Sequence, residues 1–251
     1  MISLSLDLFS FCFNSAMEVP DNSIIAKFNF NSDSIFQGLP EDDFKLLESK
    51  MINQKYKKGQ NIFVEGAFPA GIFYVKEGRI KKYKANRDGR EQIIYICNKG
   101  ELLGYSALLS EEAYPDSAAT LEDAVVGFIS REVFLKVLGQ SPAMSLKLLK
   151  NLSHEFGVLV NTIATFAHKT VRERLALSLL ILKDKFYEQD NPEKMVEINL
   201  SREDLANIVG TAVETLVRIL HSFKEEGLIE TQGRKIKIIN EGQLVKVADL
   251  Y

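Results

Sequence analysis

Glu214 and Arg218 stand four residues apart in a segment whose other face carries Leu216, Ile219/Leu220 and Phe223. That spacing places both side chains on one exposed face of a helix, near its N-terminus. An arginine so placed in a major groove donates two bonds to guanine, and a glutamate accepts from cytosine N4. The same pair on an ordinary helix is an exposed ion pair worth roughly 0.2–0.5 kcal/mol, so the surroundings decide. Just upstream, Ser201 is an N-cap with acids in the first turn behind it, Leu205, Ile208 and Val209 face inward, Ala206 permits close helix approach, and Gly210 ends the helix. Thr211-Ala-Val-Glu214 repeats capping-box spacing and predicts a longer second helix closed by Gly227. Two helices joined by a tight glycine turn within Ser201–Gly227 have helix-turn-helix geometry. Leu228–Thr231 and Lys235–Ile239, joined at Gln232-Gly233-Arg234, predict a β-wing with a basic tip. Thr215, His221, Arg234 and Lys235 are then placed to hold phosphates, which fixes register without reading sequence.

Other chemistries lack their residues. The three histidines, His154, His168 and His221, all lie outside the strand-rich segment, so a metal enzyme of the cupin type has no ligand cluster. There is no phosphate-cradling glycine loop, nucleophile elbow or Cys/His pair, and neither an enzyme nor a metal site is expected. Cys12 and Cys97 are the only cysteines, which excludes a disulfide framework and fits a reducing, cytoplasmic setting. A net charge of −3 gives no bulk pull toward nucleic acid, so that case rests on local geometry. No apolar run approaches the roughly 18 residues of a membrane span. Met1–Phe13 is apolar but has no basic residue and carries Asp7. It reads as a tail, or as the product of a start placed ahead of Met17.

The elements that must position these side chains follow from patterning. Between about Gly59 and Ile129, glycines punctuate short β-branched and aromatic runs (Asn61–Val64, Gly71–Lys76, Arg79–Ala85, Gln92–Cys97, Ala124–Ile129), which predicts an antiparallel sandwich or barrel. Asp88-Gly89 predicts a type I′ hairpin turn, and Pro40–Leu47 a short helix. Ser141-Pro142 opens a long helix reaching about Ala167. Along it Leu149, Leu152, Phe156, Leu159, Ile163 and Phe166 form a heptad seam, and Leu148, Val158 and Val160 lie off it. One face can pack on the barrel while the seam meets a second copy. Thr170-Val-Arg-Glu173 is a capping box for a helix with Leu175, Leu179 and Leu182 inside, followed by a polar loop at Tyr187–Glu193. The predicted fold is α+β. It comprises a tail (1–30), an effector-type jelly-roll barrel (31–140), a dimerisation helix (141–168) and a winged helix-turn-helix domain (169–251), hinged at His168–Thr170.

This order resembles the CRP/FNR family of bacterial regulators from about Ile35 to Ala248. Val213-Glu-Thr-Leu-Val-Arg-Ile-Leu220 is similar to the family's E-x-x-x-R recognition signature, which implies that Glu214 and Arg218 read bases. Val213 replaces the arginine of cAMP-type members, as in the FNR branch, and Val217 stands where that branch usually has serine. An FNR-like half-site with TGA at its core is implied. The resemblance also implies a sequence-specific regulator that binds an inverted repeat as a homodimer, with half-sites roughly 34 Å apart and RNA polymerase as a partner. Cyclic-nucleotide members hold the ribose with Gly-Glu-Leu and the phosphate with Arg-Ser/Thr-Ala. Here Gly100-Glu101-Leu102 is kept, but Asp116-Ser117-Ala118 puts a carboxylate where the anion would sit. The purine-reaching positions on the long helix match Leu159 and Val160. The effector pocket at Glu101, Asp116 and Ser117 is therefore degenerate, cAMP is not expected, and Glu101 reads as a structural turn residue. The cysteine cluster of FNR is absent, so no iron–sulfur centre is expected, and Cys97 reads as buried packing. Haem or NO sensing stays open, with His154 as either an axial ligand or a surface residue, and so does the absence of any effector. The rival function is a ligand-sensing adaptor whose degenerate helix-turn-helix binds protein. The retained Glu214/Arg218 pair and the basic wing argue against it.

Overall fold

Glycine-punctuated runs do become strands, but they form two sheets. The computed structural model describes residues 24–32, 35–36, 39–187 and 195–250. Of the tail, residues 1–23 with Met17 lie outside the described residues, as does the polar loop at 188–194. A short 3-10 helix (Ile24–Phe28) and α1 (Glu41–Lys50) precede β1 (Ile52–Tyr56), β2 (Asn61–Phe63), β3 (Gly71–Glu77), β4 (Ile80–Ala85), β5 (Glu91–Cys97), β6 (Leu102–Leu103), α2 (Tyr105–Ser110), β7 (Ser117–Thr120) and β8 (Ala124–Ser130). The strands pair antiparallel in the orders β1-β8-β3-β6 and β2-β7-β4-β5. The expected barrel is not closed; the domain is a jelly-roll-like sandwich. The chain passes from one sheet to the other at Gly78, whose φ of +83° glycine adopts without strain. The β4–β5 hairpin forms where Asp88-Gly89 predicted it. Its loop is longer than a two-residue turn, because Asn86 Oδ1 accepts from the amides of both Asp88 and Arg90.

α3 (Arg131–Gln140) leads to α4 (Pro142–His168), capped by Ser141, whose hydroxyl accepts from the Met144 amide at 3.3 Å. Met144 and Leu148 are buried in the sandwich core, and Val158 is buried as well. Tyr105 fastens the contact: its hydroxyl donates to Glu155 and accepts from Asn151 Nδ2 at 2.7 Å. Leu149, Phe156, Leu159, Ile163 and Phe166 form an exposed apolar stripe, Phe156 and Ile163 being 70% and 69% exposed. Leu152 is half-buried against the sandwich core. Val160, assigned off the seam, is also exposed and widens the stripe.

α5 (Val171–Phe186) starts with the expected capping box of Thr170 and Glu173. After β9 (Ile198–Asn199), α6 (Arg202–Val209) is capped by Ser201 and ends at Gly210, φ +69°. α7 (Val213–Glu225) has Ala212 at its N-cap and no side-chain cap, so the capping box read at Thr211 does not form. The Thr211 amide is instead used at the end of α6, donating to Ala206 O at 3.1 Å. β10 (Ile229–Gln232), β11 (Lys235–Ile238) and β9 form the three-stranded wing, and α8 (Glu241–Val247) packs on α5. Leu175, Leu179, Leu205, Val209, Leu216 and Phe223 build this domain's core, and Ile96 of β5 belongs to the same cluster. Each such fully buried side chain contributes about 1.5–3 kcal/mol. The two halves are therefore packed together, with Gln92 Nε2 donating to Ile208 O (3.2 Å) and Lys81 Nζ 3.3 Å from Asp204.

The turn between α6 and α7 depends on Gly210, because a Cβ there would lie 2.7 Å from the Phe166 ring besides adopting positive φ. Gly210→Ala should cost at least about 1–2 kcal/mol in urea denaturation, and an unchanged midpoint would show that the turn tolerates a side chain.

Candidate nucleic-acid interface and effector pocket

α7 presents Val213, Glu214, Val217 and Arg218 to solvent and turns Leu216, Leu220 and Phe223 inward. Among the described residues neither Glu214 nor Arg218 has an ion-pair partner, so the intrahelical pair that their spacing allows is not formed. Both polar ends are free. Thr215 is half-buried on the same helix. His221 is exposed, with Nδ1 3.4 Å from Glu225. Arg234 is exposed at the wing turn. Lys235 Nζ is 2.6 Å from Glu197 Oε2, and Lys237 Nζ is 3.0 Å from Oε1 of the same residue. Hydrogen bonds from these two lysines hold the Glu197 carboxyl down at about 2. Of the four residues placed as phosphate contacts, Lys235 and His221 thus sit beside carboxylates, whereas Arg234 does not.

Three arginines that the sequence reading passed over hold this surface in shape. Arg172 of α5 donates to Ser222 (3.0 Å) and Glu226 (2.6 Å) and stacks 4.6 Å over the Phe223 ring, fixing α7 on α5. Arg174 donates to the carbonyls of Val209, Gly210 and Lys169, closing the C-terminal end of α6. Arg202 donates to Gly233 O and Arg234 O and pins the wing turn. All three lie near the N-terminal ends of their helices, where a cation opposes the helix dipole. That local misfit is the signal that could have marked them for tertiary partners.

In the jelly roll, Glu101 is only 2% exposed. Its Oε1 accepts from the Asn98 amide (3.1 Å), as a turn residue should, and also from Lys185 Nζ at 2.6 Å. Lys185 belongs to α5, is itself buried, and donates further to Phe30 O. A buried ion pair therefore crosses between the two domains. Asp116, expected to present a bare negative charge, is instead paired with buried Lys82 at 2.9 Å, and that ammonium lies 5.1 Å from the Tyr95 ring centre. Neither charge is offered, and a phosphate entering here would have to break the pair. Ser117 Oγ accepts from the Glu65 amide. His154 is exposed, with its Nε2 on Asn29 O at 3.0 Å. Cys97 is fully buried, and burial pushes its thiol well up, away from the reactive thiolate.

A jelly roll joined by a long helix to a winged helix-turn-helix with an exposed Glu/Arg face is the architecture of a two-domain DNA-binding regulator. The family described as cyclic nucleotide-binding domain matches residues 53–141, and the Crp-like helix-turn-helix domain matches residues 173–247. The fumarate and nitrate reduction regulatory protein of Vibrio cholerae is 28% identical over 192 residues, 76% of each chain. The transcriptional activator protein anr of Pseudomonas aeruginosa is 29% identical over 208 residues, 83% of this chain and 85% of that one. FixK2 of Bradyrhizobium japonicum shares the fold, with a TM-score of 0.69 at 24% identity over 78% of this chain and 96% of that one. The chain belongs to the CRP/FNR family of transcription regulators and is a DNA-binding transcription regulator.

Removing one end of the buried interdomain pair leaves the other charge uncompensated. Lys185→Met should cost about 3–5 kcal/mol in chemical denaturation, and adding Glu101→Gln should recover much of it. Equal losses in single and double variants would show that the two groups are not coupled.

Proposed function

We propose that the protein acts in the cytoplasm as a homodimer on an inverted-repeat operator, with α7 in the major groove of each half-site. The observation that carries this reading is the exposed, unpaired Glu214 and Arg218 on the N-terminal half of α7. Arg218 reads guanine and Glu214 accepts from cytosine. The neighbouring Val213 and Val217 are exposed apolar groups suited to thymine methyls. Their place beside the family signature supports an FNR-like half-site with TGA at its core. Thr215, His221, Arg234 and Lys235 supply phosphate contacts that set register. The dimer forms through the α4 stripe from Leu149 to Phe166, in which Leu149, Phe156, Leu159 and Ile163 are exposed among the described residues, while Leu152 also packs on the sandwich core and Phe166 on Gly210. Such a face with heptad spacing is built to meet its like. RNA polymerase is the further partner. The effector is not a cyclic nucleotide, because the Lys82–Asp116 pair and Lys185 occupy the charged positions that would hold it.

Arg218→Ala should lose about 1–3 kcal/mol at one base pair per half-site and relax specificity there, measured by mobility shift on operator and random DNA. Equal loss on both would remove base reading from Arg218. A shift on the protein's own upstream DNA without sequence preference or salt sensitivity would favour the protein-binding adaptor. Phe156 is exposed in the single copy, so Phe156→Asp should leave the fold intact but give half the wild-type mass in light scattering. An unchanged mass would move the dimer interface elsewhere.

A further inference from the structure

A cavity of about 190 Å³ lies where the two halves of the chain meet. One wall is the stacked pair Phe30 and Tyr95, with ring centres 4.4 Å apart. The others come from the C-terminal part of α4, the middle of α5 and the last residues of α6, including Phe166, Ser178 and Ile208. Engineered apolar cavities of about 150 Å³ hold benzene, so this one has room for a substituted ring or two small fused rings.

The polar groups of the lining decide the chemistry of the occupant. Among the described residues no aspartate or glutamate lines the cavity, and the two cations that do are already engaged. Arg174 bonds three backbone carbonyls, and Lys185 bonds Glu101 and Phe30 O. Nothing there calls for an anion. Asn29 differs: it lines the cavity, and its Oδ1 is buried with no donor. An unmade hydrogen bond of that kind costs about 1–3 kcal/mol, which a ligand O–H or N–H recovers once the Asn29 amide turns its covered Oδ1 toward the cavity. We infer that this interdomain cavity is an effector site for a small neutral aromatic molecule with one hydrogen-bond donor, of the indole or phenol class, held through Asn29.

The site is placed to govern DNA reading, and for this coupling the inference rests on the regulator function proposed above. Ile208 and Val209 end α6 immediately before Gly210, the turn that starts α7. Phe166 packs against Gly210 and lies under Arg174, whose guanidinium is 5.3 Å from the ring centre and bonds Gly210 O. One ring therefore touches the cavity, the turn and the α4 stripe. A ligand that fills the cavity bears on Phe166 and Ile208 and resets the seating of α7.

The test uses the full chain, with indole and its donor-free isostere benzothiophene as probes in calorimetry and ligand-observed NMR. Indole should bind at least about tenfold more tightly than benzothiophene, the equivalent of one hydrogen bond. Asn29→Leu should erase that difference while leaving benzothiophene unchanged. Ser178→Phe, which fills the space, should abolish binding of both, and Ile208→Phe is the second filling variant should the first misfold. Indole should shift operator affinity of the wild type at least threefold, and that of the filled variant not at all. The inference falls if neither probe binds, if the two bind alike, if both filled variants bind indole normally, or if indole leaves operator affinity unchanged. Operator binding without ligand is measured separately. A protein that binds its operator but not indole loses only this inference, and one that binds indole but no operator loses only the DNA reading.

Discussion

A lysine and a glutamate can share a dry interior only when each neutralises the other, and here the two come from different domains. Lys185 on α5 reaches Glu101 behind β5, with Phe30 O taking a second of its protons. Burial of this kind is costly unless geometry is satisfied on both sides, so the pair admits one seating of the winged domain on the jelly roll. The surrounding contacts follow from that seating. Ile96 joins the core of the other domain, Gln92 reaches Ile208, Asn98 Nδ2 donates to Lys185 O at 2.7 Å, and a cavity remains where the surfaces do not quite meet. α7 is thus held, through its own domain, by Glu101 of the jelly roll.

What could be read from the sequence was local. Ser141, Thr170 and Ser201 cap helices because a hydroxyl needs only an amide three residues on. Gly210 and Gly227 close helices because positive φ is a property of one residue. The stripe on α4 shows up as periodicity, and the face of α7 follows from helical geometry alone. Thr211 misled for an equally local reason. Capping-box spacing was present, but its amide was already committed to the Schellman-type end of α6, and the helix starts one residue later than that box requires.

The effector pocket was less legible because its partners are distant in sequence. Asp116 was read as a repelling charge, and only the β4–β7 pairing brings Lys82 beside it. Glu101 was read as a turn residue, which it is, but nothing near it in sequence announces a lysine from another domain. Strand spacing alone left a sandwich and a barrel both open. Sheet closure depends on whether edge strands pair, and two-residue β6 and three-residue β2 leave short edges that stay apart. The arginines at 172, 174 and 202 fell between these cases, since their placement against the helix dipole was visible but their partners were not.

The wing carries its own counter-ion. Glu197 sits between Lys235 and Lys237 and remains ionised far into acid. When such a surface meets a phosphate backbone, part of the exchange is carboxylate for phosphate within the protein, and fewer small cations are released than the number of lysines implies. Basic residues here do not add up as independent attractions. On the DNA reading proposed above, the affinity of the wing is correspondingly buffered against changes in ionic strength, which leaves discrimination to the unpaired face of α7.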